Sequence, residues 1–172
     1  MKRIMVVGCP GAGKSTAAAR IAEITRLPVI HLDLYYWLPG RTPRELDDWK
    51  RTQNQLASRP VWVMDGNYGS SLHIRLARAD TVIHLDYSTF VCASRLVRRA
   101  LSGRSAAANG QLPDGGMKRL EWPFFWFVLG YRRTRRPRDL RALADFRGKL
   151  HRFARPRELE AFLSELGGQP TR

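Results

Sequence analysis

Eight residues near the start of the chain, Gly8-Cys9-Pro10-Gly11-Ala12-Gly13-Lys14-Ser15, constrain what the rest can fold into. They fit the phosphate-loop pattern G-x-x-x-x-G-K-[ST] at every fixed position. Such a loop needs a buried strand before it and a helix N-terminus after it. Arg3-Ile4-Met5-Val6-Val7 is apolar and β-branched, the pattern of a short buried strand. Residues 16–24, beginning at Thr16, are alanine-rich and helix-forming. Gly8, Gly11 and Gly13 allow backbone angles and close approach that a Cβ forbids. The loop N–H groups can then point inward at an anion, with the positive end of the helix dipole behind them. Gly8, Cys9, Pro10, Gly11, Ala12, Gly13, Lys14, Ser15 and Thr16 are the expected contacts to ATP. Lys14 is expected on the β- and γ-phosphates, and the Ser15 hydroxyl on Mg²⁺.

Further strands follow at regular intervals. Pro28-Val29-Ile30-His31-Leu32 reads as the second and ends at Asp33. A carboxylate at that end of a parallel strand lies on the ligand-binding edge of an open α/β sheet, although aspartate also caps helices and turns. Tyr35-Tyr36-Trp37 suits either a base or sugar pocket or a hydrophobic lid on the core. Thr42, Pro43 and Glu45 read as the N-cap, first turn and capping box of a helix reaching Ser58. Pro60-Val61-Trp62-Val63-Met64 is the third strand, ending in Asp65-Gly66-Asn67-Tyr68. A hydrophobic strand ending in aspartate is the usual companion of a phosphate loop, so Asp65 is the second expected Mg²⁺ residue. A short helix is expected from Ser71 to Arg78. Thr81-Val82-Ile83-His84-Leu85 is the fourth strand, ending at Asp86. His31 and His84 lie within apolar strands and read as packed core residues.

The second half carries the charge. Residues 1–90 hold 12 Lys/Arg and 8 Asp/Glu, and residues 91–172 hold 18 and 7, of a formal net charge of +15. The excess suits either closure over a polyanionic substrate or nucleic-acid binding, the less favoured partner. A helix from Thr89 carries Arg95, Arg98 and Arg99 and breaks near Gly103-Arg104. A lid is expected over about 102–135, with Gly103 to Gly116 moving. The run Trp122-Pro123-Phe124-Phe125-Trp126-Phe127 is apolar on all sides if helical, so it is expected to bury against the body or another subunit. A helix to about Phe146, a fifth strand at 149–153 and a helix from Pro156 to Leu166 complete the chain.

Composition narrows the class. At 172 residues and 44% hydrophobic content, a single domain spanning 1–172 is expected. There is no apolar run long enough to span a bilayer, and the immediate strand leaves no room for a leader, so a cytoplasmic protein without a membrane partner is expected. The two cysteines, Cys9 and Cys92, are not expected to form a disulfide, because Cys9 is inside the loop. The expected fold is α/β: a three-layer α/β/α arrangement with a parallel sheet of about five strands and right-handed crossovers.

Gly8 to Ser15, Asp65-Gly66 and Arg95 to Arg104 together resemble the adenylate-kinase-like group of small P-loop kinases, over almost the whole chain. More narrowly, Gly8-Cys9-Pro10-Gly11, residues 28–33, Asp65-Gly66-Asn67-Tyr68 and Glu121-Trp122 with the later arginines resemble bacterial proteins labelled DNA topology modulation, or FlaR-type. The resemblance implies a strand order of 2-3-1-4-5 and an arginine-rich helical lid. It departs where nucleoside monophosphate kinases have an aromatic, Pro and Arg after Asp-Gly. Here Asn67 and Tyr68 stand there, and Arg75 or Arg78 is the nearest substitute for the arginine that grips an acceptor phosphate. Asp33 followed by Tyr35-Tyr36 is similar to the Asp-x-aromatic-Tyr of uridine-kinase-like enzymes, which use a hydroxyl acceptor. The expected activity is Mg²⁺-dependent phosphoryl transfer from ATP to a small hydroxyl- or phosphate-bearing acceptor, by a monomer or homodimer. Lys14, Asp33, Arg95, Arg99, Arg104, Arg132 and Arg136 are the catalytic candidates, and Ser15 and Asp65 the metal candidates. The alternative is a nucleotide-switched DNA-binding protein using the basic second half.

Overall fold

The computed structural model describes residues 1–101 and 122–168. Five strands form one parallel sheet: β1 (Arg3–Gly8), β2 (Val29–His31), β3 (Trp62–Asp65), β4 (Thr81–Leu85) and β5 (Lys149–Phe153). Their spatial order is β2-β3-β1-β4-β5, the expected one. The central strands are buried on both faces, which is why they read as unbroken apolar runs. Side chains still alternate. Ile4 and Val6 enter a core with Ala17, Ala18 and Ile21 of α1 (Lys14–Thr25) and Leu159 and Leu163 of α8 (Pro156–Gly168). Met5 and Val7 enter the opposite core with Trp49 and Leu56 of α3 (Leu46–Ala57). Each fully buried Ile, Leu or Val contributes about 1.5–3 kcal/mol before conformational entropy is subtracted. Ala17, Ala18 and Ala22 on the inner face of α1 let that helix sit close to the sheet, so the loop between β1 and α1 is held at both ends.

Helices α4 (Leu72–Leu76), α5 (Thr89–Leu101), α6 (Trp122–Thr134) and α7 (Arg136–Ala144) complete the layers with a single turn, α2 (Asp33–Tyr36). Several local expectations are corrected. Strand β2 stops at His31, and Asp33 opens α2 rather than ending the strand. Thr42-Pro43 does not start a helix: it pairs antiparallel with Trp37-Leu38 in a small hairpin. The cap of α3 is Glu45, whose carboxylate accepts from the Asp47 and Asp48 N–H groups. Its reach suits the orphan donors of a first turn, whereas Pro43 fits the extended backbone equally well. The expected helix to about Phe146 is α7, separated from α6 at Arg135, where Pro137 in its first turn removes an N–H that a continuous helix would need. Helix α6 buries Val128 and Tyr131, but Trp122 and Trp126 remain about two-thirds exposed at 64% and 65%. No helix among the described residues is long and apolar enough to cross a membrane. Most of the expected lid, including Gly103 to Gly116, lies outside the described residues.

Candidate active site at the P-loop edge

The carboxyl ends of β1, β2 and β3 meet at one edge. There Gly8, Gly11 and Gly13 have φ of 143°, 84° and 91°. A Cβ on Gly8 would stand 2.4 Å from the Leu85 carbonyl oxygen, and one on Gly11 2.6 Å from that of Cys92. The loop therefore lies directly against β4 and α5, and only glycine fits. The Cys9 carbonyl accepts from the Ala12 N–H at 3.0 Å and from Lys14 Nζ at 3.3 Å. Lys14 thus folds back along its own loop, within reach of an anion held there. Cys9 and Cys92 are buried free thiols lying against each other. Their mutual hydrogen bond and burial push the Cys9 thiol up.

Asp65 stands beside the loop. Its Oδ2 accepts from Ser15 Oγ at 2.5 Å, and its Oδ1 is 2.6 Å from His31 Nδ1. His31 and Asp65 are register partners in the β2–β3 pairing, which brings the imidazole onto the carboxylate. The expectation that His31 is only a core residue is thereby corrected. The Asp65 hydrogen bond raises the imidazole pKa against burial, which lowers it. His84 is the buried residue expected, with burial pulling its imidazole down to about 4.

The four residues from Asp65 to Tyr68 form a hub whose contacts lie outside any linear pattern. Asn67 closes on the first glycine of the loop: Gly8 N–H donates to its Oδ1 at 2.9 Å, and its Nδ2 donates to the Gly8 carbonyl at 2.8 Å. Tyr68 Oη donates to Asp33 Oδ1 at 2.5 Å. Behind the hub, Arg75 is fully buried. It donates to the carbonyls of Gly66 and Asn67 and to Gln53 Oε1, at 2.8, 2.5 and 2.9 Å. Arg75 therefore cannot grip an acceptor phosphate: its donors are committed to the fold. The clue available in sequence was that Asn67 and Tyr68 occupy the positions directly after Asp-Gly. Nothing marked Gln53 as its partner.

The remaining candidates divide. Arg95 Nη1 donates to the Ala12 carbonyl at 2.7 Å, and its guanidinium lies 5.4 Å from the Tyr87 ring centroid, so α5 places it on the loop. Arg99 is half-buried on the same helix, and burial lowers its pKa. Arg132 is exposed on α6. Arg136 forms a two-point pair with Asp86 at 2.7 and 2.8 Å, and Arg152 binds the same carboxylate. Arg104 lies outside the described residues. Asp33 is exposed at the start of α2. The aromatic residues beside it favour packing: the Tyr36 ring centroid is 5.0 Å from Trp37, 5.2 Å from Trp49 and 4.7 Å from Tyr68.

The arrangement suits a metal-bound nucleotide. A Cβ on Gly8 or Gly11 would push the loop off the backbone behind it, and Ser15 with Asp65 supplies two hard oxygens. Mg²⁺ is ordinarily held by one or two protein groups together with substrate phosphates.

No protein-family model and no curated protein matches the sequence. Solved structures do match. A shikimate kinase from Bacteroides thetaiotaomicron is 15% identical, with 96% of each chain covered and a TM-score of 0.62. A shikimate kinase from Acinetobacter baumannii in complex with shikimate is 16% identical, covering 96% of this chain and 90% of that one, with a TM-score of 0.63. A gluconokinase from Sinorhizobium meliloti is 21% identical, covering 96% and 93%, with a TM-score of 0.51. At these identities the likeness establishes the shared three-layer α/β/α fold.

Proposed function

We propose that this protein is a Mg²⁺-dependent phosphotransferase that moves the γ-phosphoryl group of ATP to a hydroxyl on a small molecule. The observation that carries the reading is the Ser15–Asp65 contact at the foot of a glycine cradle, with the exposed Asp33 joined to the same hub through Tyr68. The structural likeness to shikimate kinases and a gluconokinase supports it. Lys14 and the loop N–H groups hold the β- and γ-phosphates. Ser15 and Asp65 hold the metal, which offsets the negative charge of the phosphates when bound. Arg95, already on the Ala12 carbonyl, is the arginine best placed to face charge developing on the transferred group. Asp33 takes the proton of the attacking hydroxyl. A phosphate acceptor would need a cation in place of that base, and Arg75 is unavailable for the task.

Calorimetric titration with ATP and Mg²⁺ tests the first half. Wild type should bind, and Lys14→Ala should lose binding while keeping its thermal midpoint. Undiminished affinity in the variant sinks the assignment of the loop. ADP release with a panel of sugar acids, polyols, nucleosides and nucleoside monophosphates tests the second half. Turnover restricted to monophosphates would replace the hydroxyl acceptor with a phosphate.

A further inference from the structure

We infer that Tyr68 is a positioning residue for Asp33: its phenol holds one carboxylate oxygen so that the other takes the acceptor's proton. The inference rests on the phosphotransferase reading with Asp33 as base. Asp33 sits at the mouth of the sheet edge and is exposed, so on its own its carboxylate would rotate freely. The 2.5 Å bond from Tyr68 Oη to Oδ1 removes that freedom, and a donor to an ionised carboxylate makes one of the stronger side-chain hydrogen bonds.

The tyrosine is itself held firmly. Its ring centroid lies 4.7 Å from both Tyr36 and Trp49, and Trp49 is buried. Its backbone φ is 40°, an uncommon conformation for a bulky side chain. Such a conformation persists where the surroundings over-determine it. Here they do: Arg75 ties the two preceding carbonyls, Asn67 is tied to Gly8, and the Ser71 N–H donates to the Tyr68 carbonyl at 3.0 Å. The left-handed turn carries the chain from the end of β3 so that the phenol reaches the start of α2. Packing alone does not ask for the hydroxyl. The ring satisfies the aromatic cluster, whereas the hydroxyl bonds an exposed carboxylate that water could otherwise solvate.

Burial, then the Asp33 charge and hydrogen bond, push the phenol's pKa up, so Tyr68 stays a donor. In the transfer, the acceptor oxygen forms its bond to the γ-phosphorus as the bond to the ADP leaving oxygen breaks. The hydroxyl proton passes to Asp33, which returns it to solvent after the phosphorylated product leaves.

ADP release from Mg-ATP, with water and with each hydroxyl compound of the panel as acceptor, is measured for wild type, Tyr68→Phe, Asp33→Asn and the double variant. Asp33→Asn should lower turnover about 10²-fold, the lower end for a positioned base in a loose transition state. Tyr68→Phe should lower it about 10-fold, with the KM for ATP, the calorimetric Mg-ATP affinity and the thermal midpoint unchanged, since the ring remains. The double variant should be no slower than Asp33→Asn alone, because the phenol acts through Asp33. Wild-type turnover in Tyr68→Phe, or losses that multiply in the double variant, overturn the role of Tyr68 and leave the phosphotransferase reading standing. Wild-type turnover in Asp33→Asn removes the base and this inference with it. No ADP release by the wild type with any member of the panel, monophosphates included, sinks the phosphotransferase reading itself.

Discussion

Two buried aspartates flank the central strand. Asp65 ends β3 on one side of β1, and Asp86 follows β4 on the other. In sequence they look alike, each a carboxylate after an apolar run. Their partners differ. Asp65 faces a hydroxyl and an imidazole, Ser15 and His31, which a divalent cation can displace or share. Asp86 is saturated by two guanidinium groups, Arg136 and Arg152. Burial would raise the Asp86 carboxyl, but the hydrogen bonds from Arg136 and Arg152 outweigh it and hold it at about 2. One carboxylate has neighbours without a fixed charge, and the other is closed by two cations. A carboxylate's position in an α/β sheet therefore does not assign its role; the charge of its neighbours does.

The sharpest way to break this comparison is to neutralise each carboxylate in turn. Asp65→Asn should lower ADP release by about 10²–10³-fold, the scale for one electrostatic group in a site, with little change in thermal midpoint. Asp86→Asn should do the reverse. Removing one partner of a fully buried ion pair costs about 3–5 kcal/mol, but the Arg152 side chain is 49% exposed and regains water. A loss of about 1–3 kcal/mol is expected, read as a midpoint lower by about 3–8 °C, with turnover within a few-fold of wild type. Exchanged outcomes would mean that the two aspartates have been assigned the wrong way round.

A smaller effect appears in acid. The folded pKa of Asp86 lies below its ordinary 3.8, so its contribution is present above about pH 4 and is lost as pH falls toward 2. Thermal midpoints measured across that window should fall less steeply for Asp86→Asn than for wild type. Equal slopes would remove the ion cluster from the acid response.

The smallest effect concerns His84, two residues before Asp86. Neither ring nitrogen has a hydrogen-bond partner among the described residues, and burial holds the imidazole near 4, against the ordinary 6.5. The unfolded chain binds the proton first, so stability falls as pH drops from 6.5 to 4. His84→Leu should raise the midpoint slightly at pH 8, by up to about 1 kcal/mol of stability, and by more at pH 5. A midpoint that is lower at both pH values would show that the imidazole packs better than leucine.

The basic second half shows how far composition carries. Its charge excess was plain, but its use was not. Arg95 donates to a loop carbonyl, and Arg136 and Arg152 close on Asp86, so a part of that charge is turned inward. The aromatic run of α6 shows the same limit: all-round apolarity asks for burial against the body or another subunit, and the described residues of the body leave Trp122 and Trp126 exposed. Hydrophobicity along a helix gives the area to be covered, and the neighbouring elements decide how much is covered.

The sequence by itself determined the phosphate loop, the alternation of strands and helices, and the aspartate that ends β3. Each is a local pattern, in which glycine conformation, the two-residue period of buried strands or helix capping acts within a few residues of chain. Through family resemblance it also carried the strand order. Only the tertiary structure decided who meets whom: His31 on Asp65 across a parallel register, Asn67 on Gly8, Tyr68 on Asp33, and Arg75 locked behind them. Those contacts join residues 34 to 59 positions apart, and for Arg75 and Gln53, 22. They exist because the sheet brings the ends of β1, β2 and β3 to one edge, a proximity that no short window of sequence contains.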